Sequence, residues 1–269
     1  MNRFEGVTKP LRWLMAILLA AFLAGCGDDE TIVIPPDTGP AGASPVLGTA
    51  STYGLFASSA AVNLAADSSV TGDVGLNPAG ACNNCVVGVT VINGVIHNGD
   101  AAAIQAQTDF KAAYDDAATR TLNACPITGD LSAAQAACVG YTPSTPGPIY
   151  GPGLYRTTAA MTLSGDITLD AGGNADAVFI FQTDLALTTA TNSRVLLAGN
   201  AQARNVWWMA GSAATLGVSS QFKGTVIANG AAVSVLGGTA LNPTAVEGRL
   251  FSHAAAADLA AFSTVTVPQ

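Results

Sequence analysis

The feature that most constrains this chain is a recurrence in its second half. Short apolar runs at residues 177–182 (AVFIFQ), 205–210 (NVWWMA), 224–229 (GTVIAN) and 248–252 (GRLFS) alternate with Thr- and Ser-bearing runs at 187–195 (LTTATNSRV), 214–222 (ATLGVSSQF) and 233–242 (VSVLGGTALN). Like segments lie about 19 to 28 residues apart, a period that suits one coil of a β-solenoid, whose units bury their apolar sides only by stacking on one another. A β-sandwich also consists of many short strands, but it does not require neighbouring segments to repeat in type. The alternation favours the solenoid. Residues 160–269 hold 12 Thr against 10 Asp, Glu, Lys and Arg combined. Soluble domains ordinarily carry roughly 25–35% charge on their surfaces, so this charge-poor β surface is shaped by something besides solvation.

The first half adds strands and one helix. Runs such as AVNLAA, SVTGDVGLNP and VVGVTVINGVI between residues 45 and 96 are broken by Gly, Asn and Pro, as short strands with turns are. Residues 100–120 then turn Ala-rich and free of Gly and Pro, with Ala103, Ile104, Gln107, Phe110, Tyr114 and Ala117 on one helical face and Asn98 or Asp100 available as a cap. So narrow a stripe suits packing along a flat β surface. Residues 121–153 carry Pro143, Pro146, Pro148 and Pro152 and read as a loop pinned by a disulfide.

The N-terminus belongs to export. Arg3, Lys9 and Arg12 precede an apolar run of about 12 residues, too short for a membrane span. It ends in Leu23-Ala24-Gly25-Cys26, which resembles a bacterial lipobox with Cys26 as the lipidated first residue of the mature chain. An ordinary signal peptide with an incidental Cys is the alternative. The expected organisation is a lipoprotein signal peptide at 1–25, a flexible tether rich in acid, Pro and Gly at 26–44, and one β domain at 45–269. Gly27 in place of Asp after Cys26 resembles the bacterial sorting signal for the outer membrane, and the acyl anchor would hold the protein at a membrane or cell surface. The chain has 10 basic and 18 acidic residues for a net charge of −8; loss of residues 1–25 removes three bases and Glu5 and leaves −10. With no basic stripe, nucleic acid is not an expected partner.

Cys82, Cys85, Cys125 and Cys138 form an even set in an exported chain, where disulfides persist. The simplest pairing is Cys82 with Cys85 and Cys125 with Cys138, although sequence permits any of the three pairings. A four-Cys zinc site is the sharper alternative, but only one CxxC is present and the other two Cys have 12 residues between them. No metal or cofactor is expected.

Several motifs carry a family resemblance. They are Val70-Thr71-Gly72-Asp73-Val74-Gly75-Leu76-Asn77-Pro78, the Gly94-Val95-Ile96-His97 leading into a helix that ends Ala113-Tyr114-Asp115-Asp116-Ala117, Gly151-Pro152-Gly153-Leu154-Tyr155, and segments 163–181, 205–216 and 248–250. Taken in order over about residues 46–267, they resemble the bacterial and fungal ice-binding proteins of the DUF3494 type. The resemblance implies a mainly β fold: a discontinuous right-handed β-helix of triangular section, its N- and C-terminal strands side by side and the long α-helix along one face. It also implies adsorption to an ice crystal surface through one flat face, and a monomer is expected.

Stacked strands repeat at about 4.7–4.9 Å, close to a repeat of the ice lattice, and threonine has a stiff χ1 that loses little entropy on adsorption. Some family members carry Thr-Ala/Gly-x-Thr/Asn on the binding face. Thr189-Ala190-Thr191-Asn192, Thr239-Ala240-Leu241-Asn242 and Thr49-Ala50-Ser51-Thr52 fit it, and Ser212-Ala213-Ala214-Thr215 fits loosely. The expected face comprises Thr188, Thr189, Thr191, Asn192, Ser193, Thr215, Ser219, Ser220, Ser234, Thr239 and Asn242, interrupted by Val218, Leu236 and Leu241 and flanked by Arg194 and Lys223. Plain β propensity on a solvent face is the competing explanation of these threonines. Catalysis is not expected, because His97 and His253 lie far apart in sequence and the acids are scattered. A surface-adhesion or polysaccharide-binding solenoid remains the alternative, with Tyr155, Trp207 and Trp208 as stacking groups, although Trp207 and Trp208 are adjacent in a strand and must point to opposite faces.

Overall fold

The computed structural model describes residues 41–59, 61–135, 141–142, 144 and 147–269. The signal peptide, Cys26, most of the tether and Cys138 lie outside the described residues.

Short parallel strands stack on three faces around one apolar interior. The first face runs Cys125–Pro126, Gly153–Thr157, Phe179–Thr183, Val206–Ala210, Gln221–Ala228, Thr244–Ser252, Tyr53–Ala57, Asp73–Leu76 and Ile96–Asn98. The second is a separate seven-stranded sheet in the order Met161–Leu163, Leu187–Thr189, Ala214–Leu216, Val233–Val235, Ala257–Leu259, Val62–Leu64 and Cys82–Asn83. The third includes Asp166–Asp170, Arg194–Ala198, Ser263–Thr266 and Ser69–Thr71, and joins the first through Gln221–Ala228 and Thr244–Ser252, which run round a corner. The architecture is the β-solenoid expected from the alternating segments.

The stacking order departs from chain order. Leu55 pairs with Leu250 on one side and Val74 on the other, so the N-terminal coils sit on the C-terminal end of the stack. The chain must therefore return from Asn98 at one end to Cys125 at the other. It does so as the helix Ala101–Thr119, whose 19 residues span about 28 Å, most of the roughly 38 Å that eight strand spacings require.

The Asp100 carboxylate caps this helix by accepting the Ala103 N–H at 2.8 Å. At the other end the buried Gln182 amide donates to the carbonyls of Ala117 and Arg120, satisfying groups that a helix terminus leaves open. The buried stripe is Ala103, Ala106, Phe110, Ala113, Tyr114 and Ala117. Ile104, expected on that face, is 50% exposed. The reason is its position about 100° round the helix from Ala103, away from the stripe that meets Tyr53, Phe56, Leu154, Ile180, Trp207, Met209, Ile227 and Phe251 in one apolar cluster. Small side chains let the helix settle close to these residues, and Phe110 inserts with its ring 5.1 Å from Phe56 and 5.0 Å from Phe251.

Inside the solenoid one file of side chains runs in register along the axis. Tyr155, Phe181 and Trp208 stack with centroids 5.0 and 4.3 Å apart, and the file continues as Val226, Leu250, Leu55 and Val74. Cys82 and Cys85 form the expected disulfide, with Cα atoms 5.5 Å apart. Cys125 is also disulfide-bonded, while its expected partner Cys138 lies outside the described residues.

Candidate functional site

The outer surface of the seven-stranded sheet is built from six three-residue strands whose middle residue alone points outward, and from the two-residue strand Cys82–Asn83. Pairing in register lines up Thr162, Thr188, Thr215, Ser234, Asp258, Asn63 and Asn83 as a central rank. Beside it runs an unbroken rank of alanine, Ala160, Ala186, Ala213, Ala232, Ala256, Ala61 and Ala81, each immediately preceding its strand. The alanines are held in line because the carbonyls from Ala186 to Ala81 each accept an N–H of the neighbouring coil at 2.8–3.1 Å. On the other side lie Ser164, Ala190, Gly217, Leu236, Ala260 and Ala65, of which only Leu236 is bulky. None of the described hydrogen bonds engages the hydroxyls of Thr188, Thr215 or Ser234.

The expected face residues therefore divide. Thr188, Thr215 and Ser234 stand in the central rank, while Thr189, Ser193, Ser219 and Ser220, expected to be exposed, are buried. Thr189 accepts the Gly217 N–H at 2.8 Å. Ser193 and Ser220 each donate at 2.8 Å to the carbonyl three residues back, at Ala190 and Gly217. The physical cause is that each Thr-rich run wraps a corner rather than forming one strand. Four such corners share a pattern: Ala65-Ala66-Asp67-Ser68, Ala190-Thr191-Asn192-Ser193, Gly217-Val218-Ser219-Ser220 and Ala260-Ala261-Phe262-Ser263. In each, the third residue is left-handed, with φ of 59°, 61°, 57° and 55°, a conformation that Asn and Asp tolerate better than most non-glycine residues and that Phe262 adopts at a steric cost. Thr191 and Asn192 are thus exposed corner residues. Thr239 and Asn242 belong to an inserted loop at the corresponding corner, where Asn242 donates to the Asn192 side chain at 3.1 Å. Sequence reasoning missed Thr162, Asn63, Asp258, Asn83 and the alanine rank; the small-x-x-Ser corner repeat was the signal that could have located the turns.

The third face is chemically different. Arg194 pairs with Asp166 at 2.5 Å and Lys223 with Glu247 at 2.7 Å across adjacent strands. These pairs place fixed charges where the seven-stranded sheet has hydroxyls and methyls.

The groups that would serve the rival functions are engaged in packing. Tyr155, Trp207 and Trp208 are all buried, with Trp207 turned out under the helix and Trp208 turned in, so they present no stacking platform for a sugar. His253 packs edge-on against Phe110 with centroids 6.2 Å apart, and burial, with Lys111 nearby, pushes its pKa below the usual imidazole value. His97 pairs with Asp100 at 2.8 Å. Among the described residues, no group of three or more His, Cys, Asp or Glu could hold a metal ion.

The class of protein these features define is a discontinuous β-solenoid with a helix covering one face and a nearly uncharged rank of hydroxyls and methyls on another. The chain belongs to the ice-binding-like family, whose sequence model matches residues 55–265. It is 34% identical over 184 residues to an ice-binding protein of Nostoc sp. (strain HG1), covering 68% of this chain and 61% of that protein. It is 29% identical over 235 residues to an ice-binding protein of Flavobacterium frigoris (strain PS1), covering 83% and 76%. The chain thus spans less than two thirds of the Nostoc protein. Among solved structures, an ice binding protein from an Antarctic biological consortium superposes with a TM-score of 0.71 at 31% identity, over 88% of this chain and 96% of the other. The DUF3494 domain of Shewanella frigidimarina ice-binding protein 1 gives 0.70 at 25% identity, over 84% and 98%.

Proposed function

We propose that this chain adsorbs to ice through the outer surface of its seven-stranded sheet and so restrains ice growth or recrystallisation. The observation that carries this reading is the pair of ranks described above: free hydroxyls at Thr188, Thr215 and Ser234 beside an unbroken line of alanine methyls. A hydroxyl both donates and accepts, so it can stand in for a lattice water, while the methyls leave the intervening water undisturbed by charge. Strand stacking sets their repeat at about 4.7–4.9 Å. Ice as the ligand is supported by the family and by the names of its relatives. A non-catalytic role is supported by the acids, many of which are tied singly to a Lys or Arg, as in Asp184 with Arg156 and Asp116 with Arg120.

The test is thermal hysteresis and recrystallisation inhibition of the purified protein. Thr188→Tyr should lower the hysteresis about tenfold, because a ring projecting from a close-packed contact removes the neighbouring van der Waals contacts as well. Leu196→Tyr on the third face should leave it unchanged. A wild-type protein that does not shape ice, or two variants that behave alike, would overturn the reading.

We further propose export and acylation at Cys26, leaving the protein attached to a membrane or cell surface as a monomer. The Leu-Ala-Gly-Cys signature supports this, as does the entry of the chain on the helix side of the domain, where Arg120 donates to the Ala41 carbonyl at 2.7 Å. An anchor joined there leaves the seven-stranded face free. Wild-type protein expressed in a bacterium should partition into the detergent phase and Cys26→Ser into the aqueous phase; equal partitioning would refute acylation.

A further inference from the structure

The central rank changes chemistry part-way along. From Thr162 to Ser234 it consists of hydroxyls; at Asp258 it becomes carboxylate and then amide, at Asn63 and Asn83. The change is confined to this rank, since the alanine rank continues past it to Ala256, Ala61 and Ala81. The two amides are also committed to protein partners: Asn83 donates to the Asn63 side-chain oxygen at 2.6 Å, and Asn63 donates to Asp258 Oδ1 at 2.5 Å. This chain of bonds fixes one edge of the carboxylate and leaves Oδ2 without a described protein partner.

We infer that Asp258 ends the ice-adsorbing surface, so that only the coils contributing Thr162, Thr188, Thr215 and Ser234 dock on the lattice. The inference rests on the reading that the seven-stranded face meets ice. An ionised carboxylate accepts but cannot donate, so it cannot replace a lattice water, which does both. Pressing it against ice would also strip its hydration without supplying a cation, and burying a charge unpaired is costly. Among the described residues the Asp130 carboxylate, beside Thr162, also borders the rank but is differently placed. It accepts the Ser164 hydroxyl at 2.5 Å and the Ser132 N–H at 2.9 Å, so both its oxygens are occupied at the end of the sheet. The working surface is accordingly the hydroxyl rank, about 14 Å from Thr162 to Ser234 at the usual strand spacing, and Asp258 determines where it stops.

The experiment places tyrosine on each side of the boundary and removes the charge at it, using purified full-length protein at equal molar concentration. Thr215→Tyr should cut thermal hysteresis about tenfold, whereas Asn63→Tyr should leave it within about twofold of wild type. Asp258→Thr, which extends the hydroxyl rank by one coil, should raise hysteresis about twofold or more, and Asp258→Asn, which removes the charge without adding a hydroxyl, should raise it less. Thermal melts of all four variants guard against misfolding as the cause. If Asn63→Tyr loses as much activity as Thr215→Tyr, the whole face adsorbs and the inference is wrong. If Asp258→Thr melts like wild type and gains nothing, Asp258 does not limit the surface. If neither tyrosine matters while wild type remains active, it is the choice of face that fails.

Discussion

Phe110→Ala is expected to lower the free energy of unfolding by about 3–5 kcal/mol, the usual cost of emptying a fully buried phenylalanine site. The ring is fully buried and lies between Phe56 and Phe251, residues contributed by an N-terminal and a C-terminal coil. It therefore fastens the helix to the junction where chain order and stacking order part company. Losing it weakens both the helix contact and the contact between the two sets of coils. A helix loosened in this way uncovers Ile180, Trp207, Met209, Ile227 and Phe251, an apolar bed large enough to promote self-association. The measurement is the urea midpoint with its slope, which separates a change in stability from a change in the surface exposed. Ile104→Ala on the same helix is the control, because Ile104 is half exposed and a surface change of this kind stays within roughly 0.5 kcal/mol. Equal small shifts for the two variants would mean that the helix is not held by its phenylalanine. Ice adsorption by the folded fraction of Phe110→Ala should be unchanged, since Phe110 belongs to the helix side of the solenoid and the hydroxyl rank to another face.

The architecture was readable in the sequence because a solenoid writes its period into the chain. The 177–182, 205–210, 224–229 and 248–252 runs each supply one coil of the helix-side face, and the Ala-rich segment is the helix across it. The adsorbing face was only partly readable, for a geometric reason. A pattern such as Thr-Ala-x-Thr selects residues adjacent in the chain, whereas a rank on the sheet takes one residue from each coil. Thr189 and Thr191 are near neighbours in sequence, yet one is buried and the other sits at a corner. Thr188 and Thr215 are far apart in sequence and adjacent in the rank. The discontinuity hid the rest, since Asn63 and Asp258 meet across 195 residues and no local pattern connects them. Burial of Ser193 and Ser220 follows from the corner turn, in which a hydroxyl closes onto the carbonyl three residues back. That is a backbone requirement, and it competes with any simple equation of Thr and Ser with exposed ice-facing groups.

Gly248→Ala is expected to cost about 4 kcal/mol or more, in the range reached only by severe steric or burial defects. Gly248 lies opposite Gly224 where two long strands round the corner from the third face to the helix-side face. A Cβ on Gly248 would lie 1.8 Å from the Gly224 carbonyl oxygen, closer than any side-chain rearrangement can relieve, because both atoms belong to the backbone framework. The coils must separate or slip. Gly172→Ala isolates the other reason a glycine is needed: its φ is +60° and nothing lies within 4 Å of the added carbon, so only the left-handed backbone is penalised, at about 1–2 kcal/mol. Gly248→Ala should therefore melt far below Gly172→Ala. It should also lose ice adsorption even at temperatures where it remains folded, because seven stacked coils each contribute one member to the central rank and a change in stacking at the corner disturbs their common spacing. A Gly248→Ala protein that melts with Gly172→Ala and shapes ice like wild type would show that the coils tolerate separation there, and that the alignment of the hydroxyl rank does not depend on close backbone contact at the corner.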